Sequence, residues 1–212
     1  MGAGAGPVAK HGKIFGLFVS DLMKPADLTM HPYFKSRGYV PGGIVTNSRD
    51  ELLNMARLPA FLRTLLVADG TVTKSLEAYF WEQVDVENLG QAPTQLAQAQ
   101  PWLDLAAGAS VLARRVRLRG VDSGRDYAHA ESLIKLDALP GHLRDELLAG
   151  RIGIGELLRE KGLETYREIL DMGLIQNHAT FGEEAVYRTY RIVINHQFAI
   201  LITETFPCAL YA

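Results

Sequence analysis

Apolar and polar residues alternate over VLARRVRLRG at 111–120 and again over RDYAHAESLIKL at 125–136, and the linker between them, GVDSG, is rich in turn-forming residues. Period-two alternation sends successive side chains to opposite faces of a strand. The two segments therefore predict an antiparallel pair of strands, at 110–119 and 125–136. A second and clearer hairpin is predicted by EAVYRTYRIVINHQFAILITETF at 184–206, where NHQ separates two long apolar-rich runs and Asn tolerates left-handed geometry.

Helical patterning is confined to shorter stretches. In TNSRDELLNMARL, Ser48 with Glu51 three residues later forms a capping-box pattern ahead of Leu52, Leu53 and Met55, which predicts a helix start. Pro59 suits the first turn of another helical piece reaching residue 66, and ADGT then reads as a turn. Residues 71–88 favour an extended conformation, although KSLEAYFWEQ in their middle is equally helical by propensity, and GQAPTQLAQAQPW reads as a polar loop. LPGHLRDELLAG predicts a short helix. GELLREKGLETYREILDMG predicts a longer one, with Leu157, Leu158, Tyr166 and Leu170 along one stripe. Strands and helices arrive in clusters rather than in βαβ alternation, so the expected fold class is α+β, an antiparallel β-sheet with helices packed on it.

Residues 1–45 stand apart. They are rich in Gly and Pro, with IFGLFVSDLM as their compact apolar segment, and they predict a partly flexible N-terminal extension before a single domain at 46–212. The opening MGAGAGPVAKHGK lacks the apolar block of a signal peptide. No apolar run approaches the roughly 20 residues that span a bilayer, so no membrane association is expected.

With 212 residues, 48% of them hydrophobic, the chain can bury a substantial core. A formal net charge of −2 gives no positive field to attract nucleic acid. The single cysteine, Cys208, excludes an internal disulfide, fits a reducing compartment and predicts a cytoplasmic protein; in FPCALY it has no base beside it and reads as an inert thiol. The six histidines show no metal-ligand spacing, so no metal is expected. GIGE at 153–156 lacks the third glycine of a phosphate loop and reads as a helix start. No GxSxG elbow anchors a hydrolase triad. A small neutral or anionic molecule is the remaining class of partner, with the oligomeric state left open.

Two residues break the alternation in an informative way. On the strand at 110–119, Arg115, Arg117 and Arg119 share a face with Val111 and Ala113 and read as solvated, whereas Arg114 falls in the row of Leu112, Val116 and Leu118. A buried guanidinium keeps its proton and needs an anion, for which its planar fork suits a carboxylate. Glu204 is its counterpart of opposite sign, sharing a face with Phe198, Ile200 and Ile202 near the end of a buried strand. Each either grips a ligand or is satisfied internally, and an Arg114–Glu204 pair would explain both.

Taken as an ordered set, DGTVTKSLE, LARRVRL, YAHAESLI, IGIGELL followed by ETYREIL, and the closing YRTYRIVINHQFAILITETFPCALY resemble the chorismate pyruvate-lyases, over about residues 58–211 and closest to the branch outside the ubiquinone pathway. The resemblance implies a cofactor-independent carbon–oxygen lyase that converts chorismate into 4-hydroxybenzoate and pyruvate. It implies that Arg114 binds the ring carboxylate and that Glu204 lies near the 4-oxygen of the ring, these two being catalytic. Val72 takes the place of an apolar residue, often methionine, that closes over the ring, and Ile154 that of a leucine making a backbone contact. Glu131 stands where the ubiquinone-pathway enzymes carry an arginine, which moves the grip on the enolpyruvyl carboxylate elsewhere, with Lys74, Arg188 and Arg191 as candidates. A same-fold lyase or isomerase acting on a related cyclic acid, or a non-enzymatic small-molecule-binding domain, are the alternatives.

Overall fold

A computed structural model of the protein describes Phe34 and residues 37–150, 153–160 and 164–212. In chain order, a short hairpin of β1 (Ile44–Thr46) and β2 (Leu52–Asn54) leads to helices α1 (Ala60–Val67) and α2 (Val72–Phe80). Three strands follow, β3 (Val84–Gln95), β4 (Ser110–Gly120) and β5 (Asp126–Ile134). Helices α3 (Gly141–Ala149) and α4 (Ile154–Glu160) then precede β6 (Thr165–Ile175), β7 (Ala185–Ile194) and β8 (Gln197–Pro207). The six long strands form one antiparallel sheet in the order β3-β4-β5-β8-β7-β6, two three-stranded meanders sealed along β5 and β8. The fold is α+β, as the clustering of elements in the sequence implies.

Alternation decides which face each side chain takes. One face buries two apolar clusters: Leu62, Leu65 and Leu66 of α1 and Leu76 of α2 pack with Leu118, Ala128, Val186 and Phe206. Further along, Leu143 and Leu147 of α3 and Leu157 and Leu158 of α4 pack with Leu112, Ile134, Ile192 and Ile200. The opposite face is covered at one end by the 96–109 segment, where Trp102 and Leu103 meet Val111, Ala113, Leu133 and Leu201. Full burial of side chains of this size stabilises by about 1.5–3 kcal/mol each. The β7–β8 hairpin closes through Asn195 and His196, whose φ angles of 48° and 62° put both in the left-handed region that a two-residue primed turn requires.

Four elements differ from the sequence expectation, each for a physical reason. The helix expected from Ser48 is the β1–β2 hairpin followed by a 3-10 turn, Met55–Arg57. The Asn47 carboxamide accepts from the backbone of Arg49 and Glu51, at 2.9 and 2.8 Å, and Ser48 donates from both its amide and hydroxyl to Asp171 at 2.8 Å. Local side-chain bonding thus displaces the capping box. Residues 71–88 are extended only from Val84, because helical propensity prevails in α2, which ends at Trp81 with φ 58°. The first part of the expected loop at 90–102, as far as Gln95, is strand: β3 passes through Gly90, where the register shifts, and Pro93, which an edge strand accommodates. The long helix expected over 155–173 is α4 followed by β6, whose register shift between Ile169 and Asp171 hides its alternation. Tyr166, placed on the helix stripe by sequence, is an exposed strand residue. Expectations for residues 1–33 lie outside the described residues.

Candidate functional site

Between the two apolar clusters of the helix-covered face, the sheet turns polar. Three successive rows of paired residues cross it. Leu112, Ile134, Ile200, Ile192 and Arg167 form the first, Arg114, Ser132, Ile202, Tyr190 and Ile169 the second, and Val116, Ala130, Glu204, Arg188 and Met172 the third. A cavity of about 500 Å³ opens above the middle of these rows, and Val72, Arg114, Ile154 and Glu204 all line it. Its floor is β5, which offers only Ala130 and Ser132 between Arg114 on β4 and Glu204 on β8. Two strand spacings, about 10 Å, separate those outer strands, leaving open space above the two small side chains.

Arg114 is 2% exposed, and burial lowers the pKa of its guanidinium from the usual arginine value, although an arginine stays charged at any physiological pH. Glu204 is not held by Arg114. Among the described residues its ion-pair partner is Arg188, directly opposite on β7, whose Nε donates to Oε2 at 2.8 Å. Tyr190 donates to the other carboxylate oxygen at 3.0 Å, so both oxygens are oriented. Arg188 also donates from Nη1 to the carbonyls of Leu65 and, at 2.6 Å, of Ala68, where a cation complements the carboxyl end of α1. Its place is beneath the cavity, as the post that fixes Glu204.

The rim is built by helix starts. Val72 opens α2 and Ile154 opens α4, as the helix-start reading of GIGE implies. The two helix starts lie side by side: a Cβ on Gly155 would be in ordinary contact, at 3.4 Å, with the methyl of Thr71. Lys74 lines the same rim but is exposed. Residues Glu77, Asp85, Glu87 and Glu156 also border the opening, although the Glu87 carboxylate turns to the other face of the sheet to meet Arg117. Among the described residues no three His, Cys, Asp or Glu side chains gather as metal ligands, and no helix is long and apolar enough to cross a membrane.

Two sequence candidates face away from the cavity. Glu131 lies on the opposite face, across from Arg115 on β4 and Thr203 on β8, where burial raises its carboxyl pKa. Arg191 is on that face too; its Nε donates to Glu168 at 2.6 Å, and its guanidinium carbon lies 3.5 Å from the centre of the Phe198 ring. In both cases strand parity is the cause. Sequence reading passed over Ser132, Tyr190 and Arg167. Tyr190 shared a row with Arg188 in YRTYR, and Ala130 and Ser132 formed an inward row of small residues, a readable sign of a floor. Arg167 was hidden by the helix expected there. Cys208 is half-buried, its thiol pushed up to about 11 chiefly by burial, which suits an unreactive sulfur.

Residues 66–212 match the family model of the Rv2949c-like chorismate pyruvate-lyases. A chorismate pyruvate-lyase of Mycobacterium leprae is 31% identical over 169 residues, covering 76% of this chain and 79% of that protein. A chorismate pyruvate-lyase of Mycobacterium tuberculosis is 27% identical over 157 residues, 68% of this chain and 78% of the other. Among solved structures, PhnF of Mycobacterium smegmatis has a similar fold, with a TM-score of 0.51 and 14% identity over 66% of this chain and 65% of that one.

Proposed function

We propose that this protein eliminates pyruvate from chorismate and leaves 4-hydroxybenzoate, proceeding from the premise that the chain belongs to the Rv2949c-like chorismate pyruvate-lyase family. The observation that carries the reading is the cavity in which Arg114 and Glu204, both buried, are set two strands apart over a floor of Ala130 and Ser132. In the proposed pose the ring carboxylate takes the Arg114 guanidinium in two-point contact. The ring lies over the small residues of β5. Its 4-hydroxyl donates to Glu204, whose oxygens Arg188 and Tyr190 already orient.

The elimination breaks the ring C–H bond at the carbon bearing the hydroxyl and the C–O bond at its neighbour. The electron pair of the first enters the ring, its proton passes by way of the Glu204 carboxylate to the departing enolpyruvyl group, and that group leaves with the ether oxygen as pyruvate. Aromatisation supplies the driving force and no net oxidation occurs, so the proposed chemistry runs on positioning. Holding one reactive conformer, setting a carboxylate beside the reacting carbons and excluding water with Val72 and Ile154 are the protein's contributions. Purified protein incubated with chorismate is expected to release pyruvate and 4-hydroxybenzoate in equal amounts, read by a coupled dehydrogenase assay and by chromatography. Turnover of isochorismate or prephenate with chorismate untouched would replace this reading with the related-acid alternative.

A further inference from the structure

The proposed substrate is a dianion, and Arg114 accounts for one of its carboxylates. The second hangs from the ring carbon next to the one whose hydroxyl meets Glu204, so it must be held beside Glu204, and the molecule offers a short choice of cations there. Arg188 is committed to Glu204 and to two carbonyls of the α1 segment. Arg191 lies on the other face of the sheet. Lys74 is exposed at the rim, where its charge is largely screened.

Arg167 remains. It projects from β6, one row from Arg114 and at the opposite end of the polar strip, and it lines the same cavity. Its Nη1 donates to the Asp69 carbonyl at 2.8 Å, which anchors one side of the fork in the segment leading into α2. Its Nη2 lies 4.0 Å from where a Gly155 Cβ would stand, so the guanidinium occupies the gap between the starts of α2 and α4. The Nε is buried and has no hydrogen-bond partner among the described residues. A planar fork half tethered by the backbone is pre-organised for a carboxylate. The head also lies near the Glu204 machinery: burial raises the pKa of the Tyr190 hydroxyl, with Arg188 and Arg167 pulling against it.

We propose that Arg167 holds the enolpyruvyl carboxylate of the substrate, so that the cavity is a two-cation clamp with Glu204 between its jaws. The assignment rests on the chorismate reading above. It makes Arg167 the residue that distinguishes the dicarboxylic substrate from the monocarboxylic product. Once pyruvate departs, 4-hydroxybenzoate keeps its contacts with Arg114 and Glu204 and has nothing left to offer Arg167.

The test compares Arg167→Ala and Arg167→Lys with the parent, using calorimetric binding of 4-hydroxybenzoate and of the stable ether dicarboxylate 3-(carboxymethoxy)-4-hydroxybenzoate, alongside chorismate turnover. Arg167→Ala is expected to weaken the dicarboxylate and lower kcat/KM about ten- to hundredfold, the range for a hydrogen-bonded charge. Affinity for 4-hydroxybenzoate is expected to stay within about twofold, and Arg167→Lys to recover part of the loss, as a point charge lacking the fork. Parallel loss for both ligands would make Arg167 a structural prop through Asp69 and overturn the proposal, as would unchanged dicarboxylate binding, or failure of the parent to bind either ligand. Arg167-dependent dicarboxylate binding in a parent that leaves chorismate intact would remove the lyase reading and keep the clamp.

Discussion

On β4, three residues apart, two arginines meet opposite fates. Arg114 faces the helices at 2% exposure, and burial lowers its pKa; Arg117, on the other face, keeps 28% of its side chain exposed, and its pKa is raised, first of all by its hydrogen bond to Glu87. Arg117 also meets Asp126 at 3.4 Å. The same contrast holds for acids: Glu204 is enclosed and fixed by Arg188 and Tyr190, while Glu87 pairs at the rim of the sheet, 41% exposed. Ion pairs on the open face are screened and contribute on the order of 0–1 kcal/mol. A buried charge is costly to strand, so the enclosed face is where substitution has large effects.

Breaking that contrast is the most direct experiment. Arg114→Ala is expected to lower kcat/KM for chorismate about a thousandfold, in line with truncating one partner of a buried charge contact, whereas Arg117→Ala should stay within about twofold. Equal rates in the two variants would remove Arg114 from the site. Next in size, Glu204→Ala should destabilise the fold by about 3–5 kcal/mol in urea denaturation, because Arg188 is left without its carboxylate; Glu87→Ala should cost less than about 1 kcal/mol. Glu204→Gln should melt closer to the parent while losing about a hundredfold in kcat, the lower range for a general acid or base.

Two smaller effects sharpen the comparison. Ser48→Ala removes one hydrogen bond to Asp171 and should cost about 1 kcal/mol in stability with turnover unchanged. Glu131, buried on the opposite face, has a raised pKa through desolvation, so the folded state holds its proton to higher pH than the unfolded chain does. Stability from this residue therefore falls as pH rises from the ordinary carboxylate value through the raised one. Glu131→Gln should flatten that part of the thermal stability profile, with a gain at neutral pH that vanishes below the ordinary carboxylate range. An unchanged slope would show that Arg115 offsets the burial.

The sheet was legible wherever alternation ran unbroken. Strands β4, β5, β7 and β8 follow directly from period two, and with them the inward placement of Arg114 and Glu204. The continuation of β3 past Asn88 and the whole of β6 were hidden by the register shifts at Asn88/Gly90 and Ile169/Asp171, which break the period, and by Pro93. The capping box at Ser48 failed because the hydroxyl it relies on is claimed by Asp171, 123 residues away, a competitor that no local window contains. Pairing across strands was likewise beyond reach: parity placed Glu204 inside, but only the β7–β8 register reveals that Arg188 faces it. Arg167 was lost with β6, since an arginine on an expected helix surface attracts no notice.

Arg188 joins two things that are usually separable. The guanidinium that steadies Glu204 is itself moored to the carbonyls of Leu65 and Ala68, at the frayable end of a helix of only 8 residues. Helix ends open more readily than the molecule as a whole. On warming, that mooring should slip while the sheet is still intact, and the carboxylate would then lose its aim in a protein that remains folded.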